Sequence, residues 1–361
     1  MNQSNRSLWV DYLRSAITVL VVAHHSSLAY TTFARFDSRA YINSTHPIVD
    51  AQRWIGLDIF ENFNDIFFMS LMFLIAGLFL MKSIHKKGAI NFTRDRFYSL
   101  FIPFLFLGTV CMLIAYFPSY YVAHHSTDII AYVKDFFGIE KWPVGPPWFV
   151  WVLFLFNFLF AIFYAGFQKL SKITGRLFSY LKNKPFIFFM MIYGITWMLY
   201  VPIAYAVGAG NWVGIGPFDF QLSRILLYFG YFTLGILIGN TDFNKDLFSD
   251  KSAIVNNWWL WLLLSFIIYC VLTIIAAPLT QLVRENRISS FAGWMIYDSY
   301  IHSLMYLKLP RFYNNFPEMD TCPKTMVAFL VGKCLFDLPG SFHFCGLVPV
   351  LFNEFSFSGF H

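Results

Sequence analysis

Charge is what this sequence has least of. Charged residues fill 13% of its 361 positions and apolar residues 58%, whereas an ordinary globular domain is about 25% charged. A soluble chain of this length would need two or three polar domain surfaces, and the ionisable residues to build them are missing. Linkers are missing as well: no Gly/Ser-rich stretch, charge block or internal repeat divides the chain. The five cysteines (Cys111, Cys270, Cys322, Cys334 and Cys345) are odd in number and scattered, without CxxC or metal-ligand spacing, which argues against a disulfide framework. No cleavable signal peptide is evident, because the first apolar segment holds Asp11, Arg14 and two histidines and no small-residue cleavage site follows it. That segment reads as a retained first helix.

Aromatic residues stand where the charges are absent. Forty-five Phe, twenty Tyr and eleven Trp, with a mean hydropathy of +0.56, suit an environment in which most surface faces hydrocarbon and Tyr and Trp sit at its wet edge. The fold class expected is all-α, a polytopic transmembrane helical bundle in a cell (cytoplasmic or inner) membrane. Runs of about 20 apolar residues, the length that crosses hydrocarbon, give seven spans: residues 8–30, 63–81, 97–117, 148–164, 186–205, 222–238 and 258–277. After Pro278 the pattern is broken by Gly, Pro and charge. Residues 288–307 form a candidate eighth span, whereas 326–336 and 342–355 are short. The simplest partition is one membrane domain over residues 1–310 and an atypical C-terminal tail over 311–361.

Loop charge sets the direction of threading, because Lys and Arg collect in short cytoplasmic loops. The loop after the second span carries Lys82, Lys86, Lys87, Arg94 and Arg96 against Asp95. The loop after the fourth carries Lys169, Lys172, Arg176, Lys182 and Lys184 with no acid. Two spans separate them, so both can lie inside together, with the N-terminus cytoplasmic and residues 31–62 and 118–147 outside. The loop with Asp242, Asp246 and Asp250 does not inform the threading. The net charge of +6 is thereby accounted for by membrane topology, and no nucleic-acid partner is expected.

Ionisable side chains inside a span cost roughly 2.5–3.5 kcal/mol each at its centre and usually mark a site or pathway. The first helix reads Trp9-Val-Asp-Tyr-Leu-Arg14-Ser-Ala-Ile-Thr-Val-Leu-Val-Val-Ala-His24-His25. Arg14 and His25 are eleven residues apart, which is three turns with about 20° of residual rotation and roughly 16 Å of rise. They share one face, Arg14 near the cytoplasmic side and His25 deep toward the external half. His24 points about 80° away. Asp11, one turn before Arg14, can hold its guanidinium. The plainer alternative has Arg14 snorkelling to the interface and His25 hydrogen-bonded between helices.

The order Asp-Tyr-Leu-Arg14, ten residues, His25 and a small polar pair resembles the opening helix of the acyltransferase-3 family of integral membrane O-acyltransferases, which includes sugar and polysaccharide O-acetylases and glucan succinyltransferases. Asp65-Ile-Phe-Phe-Met-Ser-Leu-Met-Phe-Leu-Ile-Ala-Gly77 is similar to that family's Phe-rich second helix. Arg94-Asp-Arg96-Phe-Tyr-Ser-Leu-Phe-Ile-Pro103 is similar to its basic entry into the third, and Trp148-Phe-Val-Trp151-Val-Leu-Phe to its fourth. The likeness is closest over residues 8–165 and is one of hydropathy over 186–277. Ser99 stands where the family often has a further Arg, and Tyr300-Ile-His302 only faintly matches its late Tyr/His helix. The family generally has about ten spans, so beside the seven read here the resemblance allows eight to ten.

It also implies transfer of an acetyl or succinyl group from acyl-CoA, as donor, to a hydroxyl of a cell-envelope glycan or sugar. Such chemistry needs a base for the hydroxyl proton and donors for the carbonyl oxyanion. His25 is the expected general base and Arg14 the residue that orients the donor. Arg94 and Arg96 are expected to bind the phosphates of acyl-CoA through their planar forks, or else to serve only as positive-inside charges. Glu61 and Asp65, at the external end of the second span, are candidates to bind the acceptor or partner His25, with capping as the alternative. Trp148 can stack on a sugar or anchor at the interface. The His124-His125 pair has no further ligand types beside it, so no metal is expected. Gly235-Ile-Leu-Ile-Gly239 reads as helix packing. A secondary transporter with an intramembrane Arg/His path is the functional alternative, and in that reading Pro103 and Pro202 would break spans.

Overall fold

Long helices dominate a computed structural model of the chain, which describes residues 8–138, 142, 145–181, 183–241, 253–293 and 295–296. The tail 311–361, most of the candidate span 288–307, the pair Tyr300 and His302, the cysteines after Cys270, Lys182 and the loop bearing Asp242, Asp246 and Asp250 lie outside the described residues.

The first helix, α1, is Leu8–Ser27, continued by a 3-10 turn over Leu28–Tyr30. The chain next enters a single long helical path, α2 (Ile55–Asp65), α3 (Phe68–Gly77) and α4 (Leu80–Lys87), with small breaks at 66–67 and 78–79. Together these make a candidate span of 33 residues, mostly buried by its neighbours. It is the central helix of the bundle. Phe73, at its middle, is fully buried, with ring centroids of Phe149, Phe156 and Tyr228 at 4.6, 5.1 and 5.1 Å.

Ala89–Arg96 (α5) runs on through π-helical turns at Phe97–Phe101 and Phe104–Gly108 into α6, Thr109–His124. Pro103 sits between the two π turns. Proline cannot donate a backbone hydrogen bond and its ring crowds the carbonyl four residues back; a π turn widens the repeat there. The expected break at Pro103 is therefore absorbed, and the span of 36 residues is continuous. Pro202 is likewise carried inside a helix. Outside this span, α7 (Ile129–Gly138) packs on α6 through Tyr132 and Phe136.

Trp148–Ile162 (α8) and Tyr164–Leu181 (α9) meet at an angle of 85°. Pro185–Val207 (α10) starts with Pro at its first turn, where the missing N–H costs nothing. A two-stranded hairpin, Trp212–Val213 with Phe220–Gln221, leads through a 3-10 turn at Leu222–Arg224 into α11, Ile225–Gly239. Ala253–Asn256 (α12) and Trp258–Arg284 (α13) follow, and α13 is peripheral, with most of its length unburied.

Among the described residues, five helices are long and apolar enough to cross a membrane, six if the bent α8–α9 pair is one span. These six coincide with six of the seven spans expected from sequence. The seventh is α1, which is 20 residues long but is diluted by Asp11, Arg14, His24 and His25. Among the described residues, length and composition thus give five or six spans, and the remaining expected span is present as the 20-residue helix α1.

Candidate functional site

The bundle has two polar ends. α1 runs antiparallel to the α2–α4 path: the His24 ring packs on Phe68 at 4.9 Å, and the Arg14 guanidinium lies over the Phe79 ring at 5.8 Å. The ten positions from Arg14 to His24 thus run alongside the eleven from Phe68 to Phe79, and Arg14 and His25 sit at opposite ends.

At the histidine end, His24 and His25 of α1, Glu61 and Asp65 of α2 and Arg224 of the turn before α11 converge, with His46 near by. His24 is buried, and its Nε2 is 3.6 Å from Oε1 of Glu61 on α2. Its Nδ1 has no hydrogen-bond partner among the described residues. His25 is half-buried beside it, within electrostatic range of His24, Asp65 and His46. His46 belongs to the segment between α1 and α2, which folds back over this end, and burial holds its imidazole below the ordinary histidine value.

Asp65 is the last residue of α2, where the helix breaks and leaves carbonyls without their usual partners. Arg224 fills both vacancies: its Nη1 donates to the Asp65 carbonyl at 3.2 Å and its Nη2 to Asp65 Oδ2 at 2.7 Å. The guanidinium also lies over the Tyr200 ring at 6.0 Å and within electrostatic range of Tyr228. Its position is set by the turn that opens α11. Ser223 Oγ and Gln221 Nε2 both donate to the Ala209 carbonyl, at 2.6 and 2.7 Å, and Trp151 Nε1 donates to the Asp219 carbonyl at 3.0 Å.

Trp148 is buried next to this cluster. Its ring is tilted on Tyr228 at 5.7 Å and set edge-to-face with Trp212 at 5.5 Å. It is one shell of packing away from Arg224.

At the opposite end, Arg14 is paired with Asp11 at 3.7 Å and lies within electrostatic range of Arg96. Arg96 is half-buried with its guanidinium over the Phe92 ring at 5.2 Å, whereas Arg94 is exposed. Lys87 Nζ reaches Asp95 Oδ2 at 2.7 Å. Phe92 contacts Phe160, and Phe160 contacts Phe167 of α9, so both basic segments lie at this same end.

The polar spacing of α1 and the basic stretch 94–96 are therefore joined in one helical unit with a buried aromatic core. A family model described as an acyltransferase domain matches residues 7–315. The chain belongs to the acyltransferase-3 family. Its activity at the level of class is acyl transfer by a multi-pass membrane protein. Comparison with curated proteins and with solved structures gives no match for this chain.

Within this family member, the structure brings His24, His25, Glu61 and Asp65 together and places Arg14 and Arg96 together at the far end. Sequence reasoning passes over two members of the histidine cluster. Arg224 is a single cation at the start of an apolar span, a signal visible in the sequence by the same cost argument that singles out Arg14. His24 is hidden by the helical phase: lying off the Arg14 face, it is turned toward Glu61.

Proposed function

We propose that this acyltransferase-3 protein moves an acetyl or succinyl group from acyl-CoA to a hydroxyl of a sugar or cell-envelope glycan. His25 takes the acceptor's hydroxyl proton as that oxygen attacks the thioester carbonyl carbon. The tetrahedral adduct collapses with cleavage of the C–S bond, the CoA thiolate leaves, and the proton on His25 passes to it. Arg14 and Arg96 hold the donor's phosphates, for which a planar guanidinium is suited; Arg94, being exposed, serves the approach of the donor. Glu61 and Asp65 border the acceptor side, and Trp148 supports them from behind through Tyr228.

The observation that carries this reading is the polarity of the bundle. Two histidines, Glu61 and the Asp65–Arg224 pair gather at one end, and Arg14, Arg96 and the basic segments at the other, as expected of an enzyme that meets a phosphorylated donor on one side and a sugar on the other. The orientation that follows has the N-terminus and both basic segments in the cytoplasm and residues 31–54 outside, in the cytoplasmic membrane. No metal takes part.

The test is transfer of labelled acetyl or succinyl from CoA to a saccharide acceptor by the purified chain in vesicles, with release of CoA thiol measured in parallel. Thiol release coupled to acceptor labelling, both lost in His25→Ala, is the expected result. Solute flux in vesicles without CoA, together with no thiol release, would instead support the transporter.

A further inference from the structure

The sharp bend between α8 and α9 sets α9 across the bundle rather than along it, and its surface has three distinct faces. Phe167, Ser171, Phe178 and Leu181 are buried against the protein, with Ser171 Oγ accepting a hydrogen bond from Asn240 Nδ2 at the end of α11. A second apolar stripe is not covered. Leu170, Ile173, Leu177 and Tyr180 follow the spacing i, i+3, i+7, i+10 and are all exposed, Ile173 at 70%.

The cations form the third face. At about 100° per residue, Lys169, Lys172 and Arg176 fall in a sector of about 60° that adjoins the open apolar stripe on the side away from the protein. All three are exposed. No Asp or Glu occurs anywhere in residues 164–184, so no neighbour on the helix neutralises them. An uncovered apolar stripe beside a purely cationic one is the pattern of a helix that lies in the plane of a membrane, its apolar side in the acyl boundary and its basic side among headgroups.

We propose that α9 lies in the membrane interface and that Lys169, Lys172 and Arg176 bind the phosphates of anionic phospholipid headgroups. This is independent of the acyl-transfer reading, since none of the three residues belongs to the Arg14/Arg96 or His25 clusters. The occupant is lipid because the cationic sector is contiguous with a stripe that needs hydrocarbon, which a soluble phosphate compound such as CoA does not offer.

The experiment follows the thermal unfolding of the full purified chain in neutral detergent by its tryptophan fluorescence during titration with dioleoylphosphatidylglycerol, dioleoylphosphatidylcholine or coenzyme A. Phosphatidylglycerol is expected to raise Tm and phosphatidylcholine to leave it unmoved. In K169Q/K172Q/R176Q the phosphatidylglycerol midpoint should weaken by about 100-fold, each interfacial cation contributing roughly five-fold. An unchanged midpoint in that variant overturns the proposal, as does a wild-type rise given by coenzyme A but not by phosphatidylglycerol. Native mass spectrometry of the wild type from mixed-lipid nanodiscs gives a second reading that needs no variant. Preferential retention of phosphatidylglycerol that falls with salt is expected, and equal retention of both lipids overturns it.

Discussion

His24 and His25 are neighbours of identical chemistry that the helix turns into different environments. His24 is buried on Phe68 and directed at Glu61, whereas His25 remains half-open to the space shared with Asp65 and His46. A base must reach its substrate, so the half-buried imidazole is the better candidate and the buried one holds α1 against α2. His25→Ala is expected to lower transfer by about 10²–10⁴-fold, the usual worth of a general base, with little change in Tm. His24→Ala is expected to cost stability and to leave turnover within about ten-fold of wild type. Reversal of the two results would make His24 the base. Asp65 and Arg224 differ from the histidines in being tied to each other by one carboxylate and one carbonyl contact. Asp65→Asn removes the counter-charge from a guanidinium that is only 16% exposed, while Asp65 itself is 40% exposed. The expected loss is about 2 kcal/mol, between the values for surface and buried pairs. Asp65→Leu combined with Arg224→Met should regain most of the Tm, because an apolar pair of similar volume replaces a buried ion pair without penalty. This pair was not legible beforehand: the partners are 159 positions apart in sequence, and only packing of the α2–α3 break against the start of α11 joins them.

The closest contact between elements is the parallel crossing of α3 and α11. A methyl group at Gly235 would stand 2.0 Å from the Leu74 carbonyl oxygen, one at Gly239 1.7 Å from that of Leu78, and one at Gly77 2.3 Å from that of Phe232. Backbone cannot yield as a side-chain tip can, so Gly235→Ala must push the helices apart. A loss of about 1–3 kcal/mol is expected from the strain, read as a lowered Tm in detergent, with Gly166→Ala on the open side of α9 as a neutral control. The Gly235 to Gly239 spacing announced this packing from sequence, and the separate Gly77 on the facing helix completes it. The membrane spans were legible for the same reason, since twenty apolar residues in a row leave few alternatives. The irregularities were not. The π turns around Pro103, the breaks that divide α2, α3 and α4, and the hairpin that aims Arg224 depend on which neighbour packs against each stretch. The length of an apolar run carries no trace of them.

At the scale of the whole molecule, α3 and α11 run from the Asp65–Arg224 end to the Leu78–Gly239 end, and α1 runs back from Arg14 to His24. The stretch from Lys87 to Arg96 and the basic helix α9 thereby fall at one end, and the compartment which that end faces decides the threading. Cysteine labelling resolves it. In a background without the native cysteines, single cysteines at Lys86 and Lys172, both exposed, are expected to react with a membrane-impermeant maleimide only after inverted vesicles expose the cytoplasmic face. A cysteine at Ile48, in the 31–54 segment and also exposed, should react in intact cells. The same axis governs the kinetics. If the donor docks at the Arg14–Arg96 end, Arg96→Ala should raise the apparent KM for acyl-CoA by about ten-fold or more, as loss of a charge-assisted phosphate contact of roughly 1.5–3 kcal/mol requires, while kcat falls less. Arg94→Ala, at an exposed position, should change KM less than Arg96→Ala. Equal effects of the two, accompanied by loss of one-sided cysteine labelling, would mean that both arginines serve only to orient the chain in the bilayer. In that case the donor site would have to lie elsewhere along the α1 face.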